Sequence, residues 1–115
     1  MKFLITYAQK TKTPPTPEHM QAIGKFTQEM AASGVLLMTG GLQRPTKGTQ
    51  VKIEKGRFTA TDGPFAETKE LIDGFALVQA KSREEAIELA RRFMNVAGDG
   101  EGEVLQVFDP GDFHT

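Results

Sequence analysis

A two-layer α+β fold is predicted by three features of this 115-residue sequence. Apolar residues recur at helical spacing in two stretches, while period-two alternation marks the other ordered segments. These segments fall in the order β-α-β, hairpin, β-α-β. Two helices and an antiparallel sheet in that order form a sandwich with both helices on one sheet face.

Each element has its own local reason. Lys2 to Gln9 alternates, with Phe3, Ile5 and Tyr7 on one face and Leu4, Thr6 and Ala8 on the other, and predicts a strand. Lys10 to Thr16 is a polar connection with Pro14 and Pro15. Thr16-Pro17 opens a helix with an N-cap hydroxyl followed by proline at the first helical position. Met20, Ile23, Phe26 and Met30 give that helix its apolar stripe, and Gly34 stops it after Ser33. Val35 to Gln43 predicts a second strand, made irregular by Gly40-Gly41. Thr49 to Glu54 and Arg57 to Ala60 predict a hairpin across Lys55-Gly56. Ile72 to Ala80 is a further strand. Ser82 and Glu85 form a capping box that starts the second helix, with Ala86, Ile87, Ala90, Phe93 and Met94 on its apolar face. Asn95 to Gly102 is a glycine-rich loop, Glu103 to Asp109 the last strand, and 110–115 a loosely held tail after a single domain over 1–109.

Two βαβ units with antiparallel return describe a ferredoxin-like sandwich with the 49–60 hairpin inserted between its halves. No third layer remains to cover the second sheet face, where several of Leu4, Leu36, Met38, Phe75 and Leu77 would lie. A large apolar face calls for a partner, and a second copy is the simplest one. A homodimer packed through its sheets is therefore expected.

Composition narrows the function. Fourteen basic and fifteen acidic residues give a net charge of −1, with no general attraction to nucleic acid or anionic membrane. Only Arg91-Arg92 are adjacent basic residues, so nucleic-acid binding is not expected. With no cysteine, disulfides and thiolate chemistry are excluded. The apolar start at Met1–Tyr7 is too short for a signal peptide or membrane span, which makes a cytoplasmic protein the default. Two distant histidines, His19 and His114, give no metal-ligand spacing, and Gly40-Gly41 lacks the phosphate-loop pattern. No cofactor motif is visible.

Residues 61–70, Thr-Asp-Gly-Pro-Phe-Ala-Glu-Thr-Lys-Glu, concentrate turn, aromatic and charged chemistry in one loop. Asp62-Gly63-Pro64-Phe65, with Ala66-Glu67-Thr68-Lys69-Glu70 and Gly74-Phe75, closely resembles the DGPF-domain proteins of the YciI-like (YCII-related) superfamily. Phe26-Thr27-Gln28-Glu29-Met30, Gly34-Val35-Leu36, Gly41-Leu42-Gln43, the hairpin from Thr49 and Glu85-Ala86 follow in that family's order, so the resemblance covers about residues 1–109. It implies a ferredoxin-like domain forming a dimeric α/β barrel. It also implies kinship with small-molecule enzymes that use a histidine/aspartate pair, and a genomic association with extracytoplasmic-function sigma factors. This chain departs from the enzyme pattern, because Val35-Leu36-Leu37-Met38-Thr39-Gly40 carries no aspartate.

Two readings of Asp62 stand: a general base or polar anchor, or an acceptor that closes the Gly-Pro turn. Phe65 either stacks on a ligand or plugs the core. The run Glu67-Lys69-Glu70 reads first as a solvated edge. Asp73 beside Gly74 either faces a pocket or caps its strand, and His19 either shuttles protons or sits at the surface. The expected function is a cleft for a small polar or aromatic metabolite, lined by Phe65, Phe75 and Gln43. Asp62 would there support a cofactor-independent, lyase- or isomerase-like proton transfer. The alternative is a non-catalytic sensor or accessory protein that acts with a partner such as a sigma factor.

Overall fold

The computed structural model describes residues 1–10, 16–42, 48–62 and 72–113. Gln43, Phe65 and the rest of 63–71 lie outside the described residues, as does His114. The elements run β1 (Lys2–Gln9), α1 (Pro17–Ala32), β2 (Leu36–Gly41), β3 (Thr49–Glu54), β4 (Arg57–Asp62), β5 (Gly74–Gln79), α2 (Arg83–Ala97), β6 (Gly100–Glu101) and β7 (Val104–Gln106), with a final 3-10 turn at Pro110–Phe113.

Helix ends follow the sequence signals. Thr16 caps α1, its hydroxyl accepting the His19 N–H at 3.1 Å. At the other end Gly34 takes φ 81°, and the Gly34 and Val35 N–H groups donate back to Ala31 and Met30. That is a Schellman closure, made easy by a residue without a Cβ. Ser82 caps α2 through the Glu85 N–H at 3.1 Å, whereas the Glu85 carboxylate accepts from Lys81 N at 3.3 Å and not from Ser82. The second helix outruns the expected start of its loop at Asn95. Ala97, one turn beyond Phe93, is buried and so extends the packed stripe, and Gly98 at φ 105° ends it. Leu89, not Ile87, holds the buried position on this helix, while Ile87 is exposed.

Strands β2, β5, β1 and then β6 with β7 form one antiparallel sheet in that spatial order. Together with α1 and α2, this order is consistent with a ferredoxin-like α+β fold. The last strand is broken at Gly102-Glu103, yet Ala8 pairs with Glu101 and Ile5 with Val104, so the register continues through the break. At the break the Glu103 N–H donates to the Thr6 hydroxyl at 3.0 Å, while Thr6 N still donates to the Glu103 carbonyl at 2.9 Å. The expected strand over Glu103–Asp109 therefore starts earlier and stops at Gln106.

The core lies between the sheet and the helices. Phe3, Ile5 and Val78 meet Ala86, Leu89 and Ala90 there, and Phe3 is 1% exposed. Pairing register puts Met38, Leu77, Leu4 and Leu105 in one row across four strands of the opposite face. Met38 and Leu105 on that row are 59% and 45% exposed. A register shift between Leu36 and Met38 turns Leu37 out of β2.

β3 and β4 form a separate two-stranded sheet, turning at Lys55 and Gly56, both with positive φ. That turn geometry matches the strand twist. Val51, Ile53, Phe58 and Ala60 share one face, and the alternate positions are polar. No described helix is long and apolar enough to cross a membrane.

Candidate functional site

A cleft opens where α1 stands over the β2–β5–β1 end of the sheet. Its floor begins with Tyr7, which the β1 alternation sends inward. A buried phenol requires a polar partner for its hydroxyl. Tyr7 Oη donates to the carbonyls of Gly98 at 3.0 Å and Asp99 at 3.2 Å, tying β1 to the end of α2. Burial, and then the nearby charges of Asp73 and Asp99, raise the Tyr7 pKa above its ordinary value of 10.0. Tyr7 is therefore held as a neutral donor, not poised as a base. A raised folded-state pKa contributes stability below the unfolded value near 10, and this is lost as pH climbs through the folded value. Tyr7→Phe is expected to lose about 1 kcal/mol at pH 7. The difference from wild type should shrink above pH 10 in urea melts run across pH.

Asp73 stands at the entry to β5 and knits three strands. Its N–H donates to the Tyr7 carbonyl at 2.7 Å, its carbonyl accepts from Leu42 N at 2.8 Å, and its Oδ2 accepts from Gln9 N at 2.7 Å. The strand-capping reading of Asp73 is thus observed, and the residue also lines the cleft. His19 reaches the same cleft from the first turn of α1. Its half-buried ring places Nε2 2.9 Å from the Val96 carbonyl, an acceptor-only group. The neutral ring therefore carries its hydrogen on Nε2 and leaves Nδ1 basic.

Gln9, His19, Thr39 and Asp73 place polar groups on a mainly apolar chamber of about 370 Å³, which Ile23, Phe93 and Ala97 also line. Deeper between helices and sheet lies an apolar recess of about 40 Å³, walled by Phe26, Met30, Leu36, Leu89 and Phe93. Tyr7, Thr27, Thr39, Phe75 and Phe93 line both spaces. Phe93 packs edge-on to Tyr7 at 5.5 Å and lies 6.4 Å from Phe26, whose ring is covered by the Arg92 guanidinium at 5.6 Å.

This arrangement sorts the sequence candidates. Phe75 borders the cleft at its strand, but its pairing with Thr6 and Gly40 turns its ring to the opposite sheet face beside Leu77, where the missing Cβ of Gly40 makes room for it, since a Cβ there would sit 3.1 Å from the ring. Asp62 ends β4 at an exposed position, where its Oδ1 accepts from the Thr49 hydroxyl at 2.8 Å. Gln43 and Phe65 fall outside the described residues. The structure thus brings His19 and Asp73 to one cleft, with the Phe75 ring on the other side of the sheet. Tyr7 escaped the sequence reading, although an inward tyrosine in an apolar alternation is itself a sign of a specific polar partner. Among the described residues, no group of three or more His, Cys, Asp or Glu side chains could hold a metal ion.

The YCII-related domain model matches residues 1–110. The chain belongs to the YCII-related family. Within curated proteins, this YCII-related chain is 30% identical over 96 residues to uncharacterized protein R00369 of Rhizobium meliloti (strain 1021), across 81% of this chain and 77% of that protein. No activity is ascribed to that relative by its name.

Proposed function

We propose that this YCII-related protein binds a small polar or aromatic metabolite in the cleft beneath α1 and moves a proton on it without a cofactor. The observation that carries this reading is the meeting of His19 and Asp73 on the walls of one partly apolar chamber. An imidazole and a carboxylate on the walls of one chamber can take up and return a proton, the core of lyase and isomerase chemistry. In this reading His19 Nδ1 is the base, Asp73 orients the ligand, and Phe93 supplies an aromatic wall. Two copies pack through the Met38-Leu77-Leu4-Leu105 row, giving the expected homodimer.

The test is a thermal-shift and calorimetry screen of phenols, amino compounds and small acids against wild type, His19→Gln, Asp73→Asn and Asp62→Asn. Gln can still donate to the Val96 carbonyl and Asn can still accept from Gln9, so both cleft variants keep their structural contacts. A ligand at a hundred times its Kd stabilises wild type by about 2.7 kcal/mol. That gain should vanish in His19→Gln and Asp73→Asn and persist in Asp62→Asn, with all samples sedimenting as dimers. The reverse pattern would move the site to Asp62 and its loop. Proton transfer itself would be read as deuterium uptake from solvent into a bound ligand.

The exposed apolar face of the β3–β4 hairpin favours a second reading, an accessory protein acting with a protein partner such as an extracytoplasmic-function sigma factor. Val51, Ile53 and Phe58 are 61%, 70% and 64% exposed on that face. Absence of any ligand in the screen, with partner binding lost on Phe58→Ser, would favour it.

A further inference from the structure

Both parts of the cleft are mainly apolar, and the side chains of Gln9, His19 and Asp73 stand only at its outer end. Its outer chamber of about 370 Å³ presents Gln9, His19, Thr39 and Asp73. The recess of about 40 Å³ beyond it is lined by Phe26, Met30, Leu36 and Ala76. Tyr7 and Phe93, which line both, make the passage between them aromatic. The recess exists because α1 buries none of its residues and keeps Phe26 and Met30 half-buried over the sheet. Apolar walls without atoms opposite them lose dispersion contacts, and a recess lined this way does not hold water well. An apolar ligand segment regains those contacts.

We infer that the ligand is a monocyclic aromatic compound with a hydroxyl at one end and a short aliphatic tail at the other, an alkylphenol in chemical class. This rests on the cleft being the ligand site, as proposed above, and adds the direction and length of what enters it. The ring occupies the outer chamber against Phe93, with its hydroxyl toward His19 and Asp73. The tail enters the recess. An engineered cavity of about 150 Å³ holds a benzene ring, so a recess of about 40 Å³ takes a chain of two or three carbons and not a second ring. Among the described residues lining the two chambers, none is Lys or Arg, so an anionic head would meet no counter-charge from them.

The experiment is calorimetric titration of wild type and Ala76→Leu with phenol and its 4-methyl, 4-ethyl, 4-propyl, 4-butyl and 4-hexyl derivatives. Each methylene entering the recess should tighten binding about three- to fourfold. The gain from phenol to 4-propylphenol is then about fiftyfold, and it should stop at the butyl compound when the recess is full. Ala76→Leu fills the recess from β5 and should flatten the series, so that phenol and 4-propylphenol bind alike. Should Ala76→Leu fail to fold, the ceiling in the wild-type series decides by itself. Equal affinity along the wild-type series would overturn the tail assignment and leave the cleft as the ligand site. Affinity rising without a ceiling to the hexyl compound would also overturn it, since that is the behaviour of an open apolar surface. Binding of none of these phenols overturns the alkylphenol assignment, and the wider ligand screen then decides the cleft separately.

Discussion

Gly102→Ala is expected to lose more than half of the wild-type stability. A Cβ at this position collides with the Thr6 carbonyl oxygen, and the Thr6 carbonyl carbon and Tyr7 Cα stand only 2.8 and 3.3 Å away. All three are backbone atoms of the central strand β1, which cannot swing aside as a side-chain tip can. The last strand comes this close because the Thr6 hydroxyl, in place of its carbonyl, accepts the Glu103 N–H and draws the break inward. Overpacking a well-filled interior costs about 1–3 kcal/mol, and more when backbone must move. Domains of this size have about 5–15 kcal/mol in total. A urea midpoint lowered by more than half would agree with this. Gly24→Ala is the matched control, because nothing lies within 4 Å of a Cβ built there in the α1 interior. It should stabilise by about 0.5–1 kcal/mol. A Gly102→Ala melt as cooperative and as late as that of Gly24→Ala would show that β7 can separate from β1 without loss of the fold.

Phe3→Ala is the second large effect, at about 3–5 kcal/mol of destabilisation. Phe3 is the largest fully buried side chain, paired with Val78 on one neighbouring strand and Gln106 on the other. It packs in the cluster with Ala86, Leu89 and Ala90 of α2. The small alanines there bring the helix close to the sheet, so the space left by the ring is walled by backbone that relaxes little. Phe3→Leu, which keeps most of the volume, should cost less than half as much. Equilibrium unfolding of the two variants measures both numbers, and a Phe3→Ala loss below about 1 kcal/mol would mean that the helix settles into the gap.

What the sequence revealed depended on how local the cause was. The caps at Thr16 and Ser82, the stop at Gly34 and the turn at Lys55-Gly56 are decided within a few residues, and each lies where the chain predicts it. The break at Gly102 depends on Thr6, far away in sequence, and no local pattern announces it. Phe75 is expected in the cleft from the sequence, but its side is decided by pairing with Thr6 and Gly40 across the sheet, which no local pattern shows. Asp73 was left between a pocket role and a capping role because both are physically true: its backbone and Oδ2 join three strands while its side chain borders the cleft. His19 was legible as a titratable group but not as a cleft residue, since its neighbours across the fold, beginning with Val96, come from the end of the other helix. Tyr7 looked like one more apolar position in β1 until its hydroxyl found Gly98 and Asp99.

The β3–β4 hairpin has every described residue of both strands exposed, while Phe3, Ile5 and Tyr7 of β1 are buried at the centre of the sheet. A two-stranded ribbon is marginal in water without a packed face. Opening it therefore costs far less than global unfolding. In deuterated solvent the two parts of this chain will keep different clocks. Hairpin amides exchange through frequent local opening, and β1 amides wait for the whole molecule to unfold. Any partner that covers Val51, Ile53 and Phe58 will slow the first clock and leave the second almost untouched.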